Sequence, residues 1–297
     1  MTSAISSQPT GFNKWLVGAR PRTLPAAIAP VLVGTSLIHN DKRPINLLNG
    51  LAALLVSLLL QIAVNFSNDY SDGIRGTDEN RVGPVRLVAS GLATAKQVKA
   101  AAYLCFVFAS ISGLFLAFRT SWWLIALGLI CIIAAWTYTG GAKPYGYFGF
   151  GEVSVFIFFG VVATVGSYFV QSEKITWQSF LVAVPIGTLS CAILAVNNLR
   201  DLPKDALAHK KTLAVRIGDR NARKMFVGLI LIAHFSAALS AFISPWSLAT
   251  IVFLPISAKI CRNVINGAQG AALIPILGKV GKLQLLIAAT LAIALLI

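Results

Sequence analysis

The stretch Asn65-Phe66-Ser67-Asn68-Asp69-Tyr70-Ser71-Asp72-Gly73-Ile74-Arg75-Gly76-Thr77-Asp78 closes an apolar run, residues 46–67, with a cluster of amides and acids. That run is long enough to span a bilayer, which takes roughly 20 apolar residues. A second stretch, Asn197-Asn198-Leu199-Arg200-Asp201-Leu202-Pro203-Lys204-Asp205, ends another apolar run, residues 177–197, in the same way. The chain holds ten Asp and Glu residues in all, and five of them lie in these two stretches. Acids this scarce and this concentrated point to use at a site. Asp is a poor choice for simply finishing a helix, because the C-terminal end of the helix dipole disfavours anions.

Working outward, the whole chain has the composition of a membrane protein. Its 297 residues are 57% hydrophobic and 12% charged, against about 25% charged in soluble domains. Nine apolar runs are expected to span: about 22–40, 46–67, 98–118, 121–139, 153–171, 177–197, 225–243, 246–264 and 281–297. The expected architecture is all-α, a polytopic bundle of about nine transmembrane helices around a lateral apolar cavity, with residues 1–297 as one integral-membrane domain. The polar start, residues 1–13, leads through a basic segment into the first span and predicts no cleavable signal peptide. Of the 25 Lys and Arg residues, 21 fall in segments on one side of this topology and four on the other. Such a split marks the cytoplasmic side. The net charge of +15 therefore reads mainly as topology, with a share left for phosphates, and predicts no nucleic-acid partner. The four Cys residues form no CxxC pair and the three His residues are scattered, so neither suggests a metal site.

Four spans separate the two acidic stretches. An even number places both on the same face, the cytoplasmic one, of a multi-pass protein in the cell's inner (plasma) membrane. The recurrence also has the look of a weak internal repeat. On that face lies a third segment, Tyr138-Thr-Gly-Gly-Ala-Lys143-Pro-Tyr145-Gly-Tyr147-Phe-Gly-Phe-Gly151-Glu152. Its glycines and proline forbid regular helix. Irregular backbone at membrane depth is tolerated where protein buries it or where it lines a polar cavity.

Spacing ties the acids together. Asn65 and Asp69, Asn68 and Asp72, and Asn197, Asp201 and Asp205 are each four apart, a spacing that shares one helical face about 6 Å apart along the axis. Pro203 is a helix breaker inside the second set. Crowded carboxylates repel one another, and a divalent cation relieves that cost. An all-oxygen set favours Mg2+, bound through one or two carboxylates, water and substrate phosphates. Arg75, Arg81, Arg86, Lys143, Arg200, Lys210 and Lys211 supply charge to grip a diphosphate. Acids, bases and an apolar bundle together suit a lipid with a diphosphate head. A secondary transporter is the alternative from another class, but transporter acids lie near the midplane, not at one face.

These residues resemble the UbiA superfamily of intramembrane aromatic prenyltransferases. The first stretch resembles its NDxxD motif. The second, with Lys211-Thr-Leu-Ala-Val-Arg216-Ile-Gly218, resembles its second Asp-rich motif. Arg20-Pro-Arg-Thr-Leu-Pro, the run 68–78, Arg81-Val-Gly-Pro-Val-Arg86 and the segment 138–152 point to the branch acting on 1,4-dihydroxy-2-naphthoate in menaquinone synthesis. Here Gly76 stands where the broader family often has an Asp, with Asp78 as its replacement, and Asn197 stands where the second motif often begins with Asp. The resemblance implies that Asn68, Asp72, Asn197 and Asp201 anchor a Mg2+–diphosphate. Asp69, Asp78 and Asp205 are implied as supporting or second-metal ligands. Tyr138, Lys143, Tyr145 and Arg86 are implied near the acceptor or the diphosphate. The implied reaction joins a polyprenyl group from its allylic diphosphate to the naphthoate, with loss of diphosphate and CO2. Other aromatic acceptors, 4-hydroxybenzoate or homogentisate, are alternatives within the same chemistry.

Overall fold

A left-handed Arg20 followed by Pro21 and Pro25 breaks the first apolar segment, since proline cannot continue a helix through its missing N–H. The computed structural model describes residues 9–77, 83 and 85–297, and there every regular element is helical. Helices α1 (Phe12–Ala19) and α2 (Pro25–Ser36) form a pair bent by 58° with their short 3₁₀ extensions. They are followed by α3 (Leu47–Ile74), α4 (Ala95–Arg119) and α5 (Trp123–Thr137). A one-turn α6 (Gly151–Val155) runs through a π-helical segment (Phe156–Val162) into α7 (Ala163–Ser172). The chain ends with α8 (Trp177–Leu207), α9 (Leu213–Leu239), α10 (Leu254–Ile265) and α11 (Leu273–Leu296).

All nine expected spans are helical, but they are not nine uniform crossings. Among the described residues seven helices are long and apolar enough to cross a membrane, or eight if the bent pair counts as one. The shortfall is α5, which replaces the expected 121–139 span with 15 residues, about 22 Å at 1.5 Å per residue. A hydrocarbon core is about 30 Å thick. Other boundaries differ for local reasons. The run expected at 246–264 opens as a 3₁₀ segment, Pro245–Phe253, before becoming α10. The α9 helix starts twelve residues before its expected apolar run and is interrupted at Gly218, where φ is 78°. Pro203 does not end α8, which continues to Leu207.

Between membrane helices, close packing of small residues does much of what hydrophobic burial does in water. Helix α2 packs on α7 and α11, the π segment packs on α8, and α11 packs on α8. A Cβ at Gly34 of α2 would lie 2.2 Å from the Thr164 carbonyl oxygen of α7. One at Gly160 of the π segment would lie 2.6 Å from the Gly187 Cα of α8. Buried polar groups add specific ties: Gln284 Nε2 of α11 donates to Ser190 Oγ (2.7 Å) and to the Ile186 carbonyl (3.1 Å) of α8. Overpacking costs roughly 1–3 kcal/mol, so Gly34→Ala is expected to lower the melting temperature in detergent. Gly113→Ala on α4, where an added Cβ meets nothing within 4 Å, is expected to leave it unchanged, as a thermal-unfolding scan of the two variants will read.

Candidate active site

Helix α3 keeps its polar end helical to Ile74, so Asn65, Asn68, Asp69 and Asp72 leave the bundle on defined faces. They do four different things. Asn65 Nδ2 donates to the Ala19 carbonyl (2.9 Å) and to Thr23 Oγ1 (3.1 Å), pinning the bend after α1. Asn68 Oδ1 accepts from Thr139 Oγ1 at 2.6 Å. Both oxygens of Asp69 accept backbone N–H groups, from Leu87 (2.8 Å) and Val88 (3.0 Å). Asp69 lines neither of the cavities described below. Expected as a metal ligand, it is placed as the anchor of the loop whose Leu87 is buried against Phe66, Val98 and Ala102. That docking brings Arg86 Nη2 to 3.7 Å from Asp72 Oδ2.

Asp72 is the meeting point. Its Oδ1 accepts from Tyr147 Oη (2.6 Å) and from Lys210 Nζ (2.8 Å). Tyr147 comes from the glycine-rich loop, which Gly146 closes by donating its N–H to the Tyr138 carbonyl (3.0 Å). A Cβ at Gly146 would lie 2.6 Å from that carbonyl oxygen. Burial, and after it the Asp72 carboxylate, push the Tyr147 phenol above its ordinary range, so it stays protonated and donates. Lys210 follows α8 through a left-handed His209 (φ 55°), which turns the chain back toward α3. Its ammonium also lies 4.6 Å from the centroid of the Tyr147 ring. Thus the segment that follows the second acidic stretch reaches Asp72, and residues of both stretches line one cavity.

On α8, Arg200 grips Asp201 with two bonds, Nε to Oδ1 at 2.8 Å and Nη2 to Oδ2 at 2.7 Å. Asn198 Nδ2 donates to Glu152 Oε1 at 2.9 Å, tying α8 to the start of α6. A polar cavity of about 120 Å³ is lined by Asp72, Asn198, Asp201, Lys204, Asp205 and Lys210, among others. Beside it is an apolar chamber of about 270 Å³, walled by residues such as Ala53, Leu60, Val64, Leu127, Phe159 and Ile193. Five residues line both: Arg20, Asn68, Tyr138, Leu194 and Asn197. On the outer side of α5 and α6 a groove formed by Ile130, Ile133, Val153 and Ile157 shares Tyr145, Ser154 and Phe158 with the chamber.

Several expected residues sit elsewhere. Arg75 donates to the carbonyls of Thr139 (2.6 Å) and Gly141 (2.5 Å), so it braces the loop and does not line the polar cavity. Lys143 and Lys211 are exposed and line neither cavity. Tyr145 faces the apolar chamber, its hydroxyl 3.0 Å from the Ala134 carbonyl and 2.8 Å from Ser154 Oγ. Asp78 and Arg81 lie outside the described residues. Nine residues lining the polar cavity stand outside the candidates read from the sequence, Tyr147, Asn198 and Lys204 among them. Tyr147 lies in the singled-out loop, and Asn198 is in the second stretch. Lys204 stands three residues after Asp201 and four after Arg200, a spacing that shares their helical face.

Fold and site together define a polytopic helical membrane protein with a charged head cavity opening onto an apolar chamber. The chain belongs to the UbiA prenyltransferase family, which residues 27–273 match. It is 47% identical over 284 residues to a 1,4-dihydroxy-2-naphthoate octaprenyltransferase of Mycobacterium tuberculosis, covering 96% of this chain and 97% of that one. The identity to the Mycobacterium leprae protein of the same description is 43%, covering 91% and 92%. A UbiA homolog from Archaeoglobus fulgidus, solved with DMAPP and Mg2+ bound, shares the fold with a TM-score of 0.66. It is 16% identical, with 95% of this chain and 99% of that one covered.

The Asp69 anchor has a measurable consequence. Leaving buried backbone N–H groups without an acceptor costs about 1–3 kcal/mol each. Asp69→Ala is expected to lower the melting temperature and to expose the loop around Leu87 to limited proteolysis. Asp69→Asn, which still accepts one of the two bonds, should fall between that variant and the parent.

Proposed function

We propose that this protein transfers a polyprenyl group from an allylic polyprenyl diphosphate to 1,4-dihydroxy-2-naphthoate. The observation that carries the reading is the junction of the two cavities, where Arg20, Asn68, Tyr138, Leu194 and Asn197 line both. A diphosphate seated on the polar side puts its first prenyl carbon at this junction and its tail in the apolar chamber. The relatives' names supply the acceptor.

In this reading the carbon–oxygen bond of the donor breaks, and its electron pair departs with diphosphate. Lys210 and Arg86 stand beside Asp72, where negative charge on the leaving oxygens is to be met. The allylic cation is held at the chamber mouth, lined by Tyr138 and otherwise largely apolar on the chamber side, surroundings in which an aromatic ring favours positive charge. The electron-rich naphthoate ring attacks the cation through carbon, and its carboxyl leaves as CO2.

The donor set suits a divalent metal. Asn68, Asp72, Asn197, Asp201 and Asp205 present only oxygens suited to ligation, all to one cavity. The three carboxylates and two amides suit an ion such as Mg2+, which takes one or two carboxylates and completes its shell with water and phosphate. Among the described residues no three of the acids gather closely enough to hold an ion by themselves. When bound, the metal would supply further positive charge to the leaving diphosphate. Asp69 is left out of this ligand set. The 21-to-4 distribution of basic residues supports a plasma-membrane protein with the site on the cytoplasmic face.

Purified protein is expected to form the prenylated, decarboxylated naphthalene product only when Mg2+ is present. Asp72→Ala and Asp201→Ala should each abolish turnover in protein that remains folded in detergent. Near-parental turnover in either variant at saturating Mg2+ would remove the two-cluster mechanism.

A further inference from the structure

Five polar side chains of α8, Asn197, Asn198, Asp201, Lys204 and Asp205, line the polar cavity. The other cations there have named acceptors. Lys210 and Arg86 meet Asp72 and Arg20 donates to the Asn65 carbonyl, while Arg200, outside the lining, holds Asp201. Lys204 differs. Its Nζ is shut off from solvent and makes no hydrogen bond. An ammonium offers three donors and no acceptor, and burying it without a counter-charge is costly. A cation kept in that condition at a cavity wall suits an anion that arrives with several oxygens.

We propose that Lys204 binds the diphosphate of the prenyl donor and stays with it as the leaving group. This rests on the reading that the polar cavity is the head-group site. Position favours diphosphate over the acceptor's carboxylate. Lys204 lines the polar cavity alone and is absent from both the junction and the apolar chamber, so an anion that reaches it lies on the head side. An ammonium cannot ligate a metal, and its charge opposes one nearby. Its contribution goes to phosphate oxygens, and it grows as the carbon–oxygen bond breaks and negative charge builds on them.

A binding role and a structural role give opposite signs. Removing a buried, unpaired charge should stabilise the ligand-free protein or leave it unchanged, whereas removing a structural contact should destabilise it. The experiment compares the parent, Lys204→Met and Lys204→Arg in detergent with Mg2+. Calorimetry reads the affinity for inorganic pyrophosphate, thermal unfolding reads stability, and steady-state kinetics read each substrate's KM. In Lys204→Met, pyrophosphate affinity is expected to fall about tenfold or more, with a matching rise in the KM for prenyl diphosphate. The KM for the naphthoate should not change, the ligand-free melting temperature should not drop, and Lys204→Arg should recover most of the affinity. Parental pyrophosphate affinity in Lys204→Met overturns the proposal. So does a loss confined to the naphthoate, or a lowered melting temperature with no rescue by Arg. A parent that binds pyrophosphate through Lys204 yet transfers no prenyl group would sustain the proposal and remove the proposed reaction.

Discussion

The head of this bundle depends on how one buried carboxylate is satisfied. Asp72 sits at the end of a membrane helix with little access to water, and a buried charge is tolerated only when paired and hydrogen-bonded. Its partners come from three separate segments: Arg86 from the loop after α3, Tyr147 from the glycine-rich loop, and Lys210 from the link between α8 and α9. Two of these segments are also docked by contacts of their own, Leu87 in an apolar cluster and Gly146 on the Tyr138 carbonyl. Asp72 is the point at which the polar ends of all three converge. Asp69 and Arg75 then hold two of the loops by their backbones, leaving Asp72 to face the cavity.

The same physics explains why the site is polar on one side and apolar on the other. Tyr138 and Tyr145 close the head of α5 and meet edge to face, with ring centroids 5.5 Å apart. Such rings combine an apolar body with a polar tip, which suits a boundary between the two environments. Asn68 and Asn197 occupy equivalent places, one on α3 and one on α8, each four residues before an acid that lines the polar cavity, Asp72 and Asp201. Below them the walls become aliphatic and aromatic, with only scattered hydroxyl and amide groups.

Much of this was legible in the sequence, and the exceptions have physical causes. Apolar runs of membrane length, a one-sided basic distribution and two acidic helix ends on the same face specified the helical class and brought Asp72 and the second stretch together. The length of the apolar run alone could not show that its helical part is only the 15 residues of α5, because the residues flanking the helix are apolar enough to continue the pattern. The place of Asp69 is not legible in the sequence, because an acid four residues after an amide reads the same whether it faces a cavity or a loop's backbone. Only the docking of Leu87 decides that. Lys143, Lys211 and Arg75 share the sign of charge that phosphate wants, but sign says nothing about direction. The glycine-rich loop carries Lys143 outward, and Arg75 is committed to carbonyls. Lys204 is hidden for the reverse reason: one more basic residue on a basic face carries no visible mark until its burial is known.

The apolar chamber runs down α3 from Asn68 to Ala53, fifteen residues or about 22 Å at 1.5 Å per residue. Substitutions separated by more than about 10 Å with no shared partners tend to act additively. The far end of the chamber and the charged head therefore form two independently adjustable parts on one scaffold. Changes near Ala53, Gly113 or Gly166 can reshape the space for a tail without disturbing the ion pairs around Asp72. Such separability lets a lineage exchange one hydrocarbon for another by drift at the remote end, while every intermediate keeps its chemistry.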